Sequence, residues 1–200
     1  MALTTLPIEV EHAALDPRTG DLSGPLSDAF TTPFLVVIGT RGPEGSDAAA
    51  QAGEFIKSWQ QRYFATPRSK TDVEINDIDV HDYNLVLFGT ANSNRLLERI
   101  QGKLPIRYSE AGLSIGDRSW QGHGFSVQAV FPNPLQPERY VVLAGDPHCS
   151  KCRADALQFT LHSWYDAVVW QRQDDGNAQL ADAGYFDRDW QKFISAPTCH

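Results

Sequence analysis

Two stretches of this chain constrain its fold more than any others: FLVVIGT at 34–40 and NLVLFGT at 84–90. Each is a near-continuous apolar run closed by Gly-Thr, the pattern of a strand buried on both faces. Each leads into helical spacing. Ala48, Ala52, Phe55, Ile56, Trp59 and Tyr63 form one stripe, with Ser46 or Asp47 as its cap. Leu96, Leu97 and Ile100 form the other, with Asn92 or Ser93 as its cap. Strand, Gly-Thr and helix, met twice, predict neighbouring units of a parallel sheet. Further strands are expected at TDVEINDIDV (71–80), at FSVQAVFPNPL (125–135, ended by Pro132) and at RYVVLAGD (139–146). CRADALQFTLHSW (152–164) reads as helical, and YDAVVWQ with AQLADAGYF reads as a closing hairpin. The expected fold is a three-layer Rossmann-like α/β domain, with a mostly parallel central sheet and antiparallel edge strands. It would occupy 34–191, behind an extension at 1–33 that carries an edge strand and ahead of a tail at 192–200.

Composition narrows the partners. A net charge of −8 opposes a phosphate backbone or an anionic membrane, both of which demand clustered Lys and Arg. The opening MALTTLPIEVEHAALD has neither a basic start nor an apolar run, and no stretch reaches the length of a membrane span. Three cysteines are too few for a disulfide framework. The default expectation is a cytoplasmic protein, or a secreted one if the chain is cut from a larger exported protein.

Three features invite a chemical reading. EAGLSIGD (110–117) spells G-x-S-x-G around Ser114. A nucleophile elbow needs a buried strand before it and a helix after it. Here LPIRYSEA precedes and DRSWQGHGF follows, so Ser114 reads as a residue of a short strand between turns. GDPHCSKC (145–152) brings Asp146, His148, Cys149 and Cys152 together, a set suited to a divalent metal or, through the C-x-x-C, to thiol redox chemistry. A lone C-x-x-C lacks the second ligand pair of a convincing zinc site, and incidental cysteines in a loop explain it as well. The third feature is the set of strand ends. Thr40, Thr90, Asn92, Asn94 and Asp146 would lie along one edge of a parallel sheet, where ligands of open α/β folds bind. The helix start near Asn92 would offer N–H groups to an anion.

GPLSDAF with PFLVVIGT, YNLVLFGTANSNRLLERI, LPIRY, FPNPLQPERYVVLAG and AGYFDRDWQ occur in this order between Gly24 and Gln191. Together they resemble the accessory domain that follows the hydrolase domain in some bacterial prolyl-oligopeptidase-like or carboxylesterase-like proteins. The resemblance implies a non-catalytic module whose partner is a hydrolase domain or a small-molecule ligand. The alternatives are a stand-alone hydrolase of small esters or lactones, serine- or metal-dependent, and a thiol redox protein.

Overall fold

The structure, a computed structural model, describes residues 18, 22–109, 111–145, 164–173, 175 and 177–197. Its first strand, β1 (Phe34–Ile38), and its third, β3 (Asn84–Phe88), are the two apolar runs, and their central residues are buried. Between them come α1 (Glu44–Tyr63), β2 (Arg68–Thr71) and α2 (Asp77–Asp82). Gly45, Ala48, Gln51, Ala52 and Phe55 form the buried face of α1, at the three- and four-residue spacing that puts side chains on one stripe. The helix starts at Glu44 without a side-chain cap, and Ser46 donates instead to the Pro43 carbonyl at 2.7 Å.

The segment expected as a strand at 71–80 divides differently. β2 ends at Thr71, a turn follows, and Asn76 opens α2 with a capping box. The Asn76 side chain accepts from the Asp79 N–H at 3.0 Å, and the Asp79 carboxylate accepts from the Asn76 N–H at 3.0 Å. The alternation of Val73 and Ile75 is a strand signal. The reciprocal cap satisfies two orphan helix donors and prevails locally.

α3 (Arg95–Ile100) follows β3, and then a three-stranded antiparallel sheet, β4 (Ile106–Ser109), β5 (Gly112–Ile115) and β6 (Arg118–Gln121). Leu113 and Ile115 of β5 are buried in the core. The remaining strands are β7 (Phe125–Asn133), β8 (Gln136–Leu143), β9 (Ala167–Arg172), β10 (Ala178–Phe186) and β11 (Phe193–Ser195). The eight-stranded sheet runs β11-β10-β9-β7-β8-β3-β1-β2.

This architecture corrects the expected Rossmann-like fold. Only β2–β1, β1–β3 and β3–β8 pair in parallel, whereas β8–β7, β7–β9, β9–β10 and β10–β11 are antiparallel. The antiparallel share is thus the larger one, and it is no mere edge. Its cause is the short connections of the second half. β7 returns as β8 through Pro134 and Leu135, where Asn133 Oδ1 accepts from the Leu135 N–H at 3.0 Å, and so tight a turn joins only antiparallel strands. Pro132 does not end β7 but sits at a register shift facing Tyr140, a place where a missing N–H is tolerated. Among the described residues, the second sheet packs against β7 through β5. The hairpin of β9 and β10 is present, while the helix expected at 152–164 lies, apart from Trp164, outside the described residues.

The flanks join the core. Leu26 and Ala29 are buried, and Tyr140 of β8 accepts from the Gly24 N–H at 3.0 Å while donating to Asp28 at 2.9 Å. Among the described residues no helix is long and apolar enough to cross a membrane.

Candidate functional site

β8, β3, β1 and β2 are parallel neighbours, so their carboxyl ends share one edge: Gly145, Gly89-Thr90, Gly39-Thr40 and Asp72. The turn after β3 must pass close to that edge. Gly89 has φ +111°, and a Cβ there would stand 2.6 Å from Ser93 Oγ. Glycine alone meets both demands. The freed space lets Ser93 Oγ accept from the Thr90 N–H at 2.9 Å, closing the turn.

Asn94, fully buried, is the joint of the edge. Its Oδ1 accepts from the N–H groups of Leu96 and Leu97 at 3.0 and 3.2 Å, and its Nδ2 donates to the Phe88 carbonyl at 3.0 Å. The side chain therefore caps α3 and fastens it to β3. The Asp72 carboxylate, also buried, accepts from the Thr40 hydroxyl at 2.7 Å and from the Arg95 N–H at 2.8 Å. Arg41 and Glu98 pair at the surface beside this frame. Hydrogen bonding to Arg41, together with its charge, holds the Glu98 carboxyl below the usual carboxylate range.

Between this edge and the α3–β4 connection lies a cleft of about 550 Å³. Leu97, Leu104, Ile106, Val127 and Leu143 supply its apolar walls, while Glu44, Thr90, Asn92, Gln101, Arg107 and Tyr108 supply its polar lining. The Thr90 hydroxyl donates to Glu44 Oε2 and accepts from the Asn92 N–H at 3.2 Å. Arg107 Nη1 donates to the carbonyls of Gln101 (3.1 Å), Ile106 (2.7 Å) and Leu104, and Nη2 to that of Gly102 (3.3 Å). The Val127 N–H donates to Tyr108 Oη at 3.2 Å, bridging the two sheets.

Comparison with protein families, with curated proteins and with solved structures returns no match. The reading of the site therefore rests on its geometry.

The expected strand-end residues separate into two groups. Thr90 and Asn92 line the cleft. Thr40 turns to Asp72 and Asn94 into the interior, where both act as framework. The expected anion site at the α3 start has its N–H groups occupied by Asn94 and Asp72. Ser114 sits within β5, paired with Arg107 on one side and Ser119 on the other, at no strand-to-helix turn. Asp146, His148, Cys149 and Cys152 lie outside the described residues. Among the described residues no three His, Cys, Asp or Glu side chains gather closely enough to hold a metal.

Glu44, Arg107 and Tyr108 escaped the sequence reading. Glu44 had one signal, since the turn after β1 delivers the first residue of α1 to the neighbouring strand end. Arg107 and Tyr108 had none, because the fold-back of β4 onto β7 is a tertiary event.

Proposed function

We propose that this chain is a non-catalytic binding module that holds a small organic molecule in the cleft beside the β3 and β8 ends. The observation that carries this reading is the contrast between frame and cleft. Asp72 holds the Thr40 hydroxyl and the Arg95 N–H, Ser93 holds the Thr90 N–H, and Asn94 holds the Leu96 N–H, which makes a preorganised rim. Beside it stands a volume of about 550 Å³, whose lining combines leucine, isoleucine and valine walls with the polar side chains of Glu44, Thr90, Asn92, Gln101, Arg107 and Tyr108. That size and composition suit a small-molecule ligand. On the resemblance to hydrolase accessory domains, the module would work beside a hydrolase partner.

The test is a fragment screen by ligand-observed NMR on the full chain, repeated with Leu97→Trp. Leu97 is half-buried on the cleft wall, so an indole there fills the space without entering the closed core. Fragments that bind the parent chain and not the variant support the reading. Fragments that bind both equally, or an absence of binders, refute it. Turnover of esters or lactones that Leu97→Trp abolishes would replace it with an enzymatic one.

A further inference from the structure

The polar groups of the cleft are unequally available. At the start of α3, the N–H of Arg95 is held by Asp72, and those of Leu96 and Leu97 are held by Asn94. Both terminal nitrogens of Arg107 donate to backbone carbonyls. Among the described residues, the N–H groups at the α3 start and the terminal nitrogens of Arg107 are thus already engaged by the fold. Glu44 is the opposite case. Its Oε2 accepts from Thr90, and its Oε1 accepts from no described residue.

From this asymmetry the geometry points to a small amine with a hydrocarbon or aromatic body as the ligand, its ammonium on Glu44 and its body against Leu97, Leu104 and Val127. The inference rests on the binding reading above and specifies its chemistry. An ammonium brings donors and positive charge to a carboxylate with one oxygen that no described residue occupies, and such charge-assisted hydrogen bonds are the strong ones. A carboxylate or phosphate at the same place would meet Glu44 as a like charge, and the α3-start N–H groups and Arg107 terminal nitrogens that could replace its hydration are already engaged. The chain's net charge of −8 favours the approach of cations in the same sense.

Three probes that share one phenethyl body separate the terms: phenethylamine, 2-phenylethanol and 3-phenylpropionate. Each is titrated into the full chain and followed by backbone amide NMR shifts at Thr90, Leu97 and Val127. The expected order is amine tightest, alcohol weaker and carboxylate weakest. Glu44→Gln retains an acceptor for the Thr90 hydroxyl, so the rim persists. In that variant the amine should lose about tenfold in affinity while the alcohol is unchanged. Carboxylate binding as tight as the amine, or an amine affinity indifferent to Glu44→Gln, would overturn the inference. Binding of the alcohol with no advantage for the amine overturns it too, yet leaves the binding reading standing. If none of the three probes shifts these amides, both fall together.

Discussion

The Thr40 hydroxyl, at the end of β1, donates to the buried carboxylate of Asp72, at the end of β2, across 2.7 Å. The other Asp72 oxygen takes the Arg95 N–H, so one side chain joins two strands to α3. Removing it in Asp72→Ala leaves the Arg95 N–H and the Thr40 hydroxyl without this acceptor. We expect a loss of roughly 2–3 kcal/mol. In a chain of this length that lowers the midpoint of thermal unfolding by roughly 4–12 °C, which circular dichroism will read. Asp72→Asn, which keeps one acceptor, should lose less.

Gly89 offers a second test of the same edge. Its positive φ and the 2.6 Å approach of Ser93 Oγ leave no room for a side chain. Gly89→Ala should destabilise by about 2 kcal/mol and should shift the amide signals of Thr90 and Ser93. Gly53, inside α1 with open space around a would-be Cβ, is the control. Gly53→Ala should instead gain up to about 1 kcal/mol.

Lys70 and Asp79 predict a pH dependence. Burial raises the Asp79 carboxyl, but the Lys70 ammonium at 2.8 Å from both oxygens and the Asn76 N–H outweigh it, so the group sits below its ordinary value. A carboxylate with a depressed folded value stabilises the protein above its unfolded value of about 4. That contribution fades as the pH falls through the folded value. Screening around the partly exposed Lys70 limits it to roughly 1–2 kcal/mol. Urea unfolding of Asp79→Asn against the parent should show that gap at pH 7 and a smaller one at pH 2.

Ser114 should prove inert. It sits in β5 between the paired residues Arg107 and Ser119. Ser114→Ala is expected to change stability by less than about 0.5 kcal/mol, and any ester turnover by the parent chain should persist in the variant at the same rate. A loss of turnover confined to this variant would restore the nucleophile.

Much of the fold was legible locally, because burial on both faces writes itself as an unbroken apolar run. Hence 34–38 and 84–88 are strands, and the β9–β10 hairpin is visible from its turn. The Gly-Thr endings also marked a sheet edge, and of the residues near it Thr90 and Asn92 reached the cleft. Elsewhere local signals competed, as where the Asn76–Asp79 cap prevailed over the alternation of Val73 and Ile75.

By itself, then, the sequence determined that 34–38 and 84–88 are buried strands, where α1 turns its apolar face, and that Ser114 lacks an elbow's flanks. Only the tertiary structure decided that β8 lies between β3 and β7, that β4–β6 form their own sheet, and that Glu44 and Arg107 border one cleft. The physical reason is that an apolar strand states its need for neighbours and not their identity. Pairing is chosen by the burial of the whole chain, and residues 63 positions apart meet only when that choice has been made.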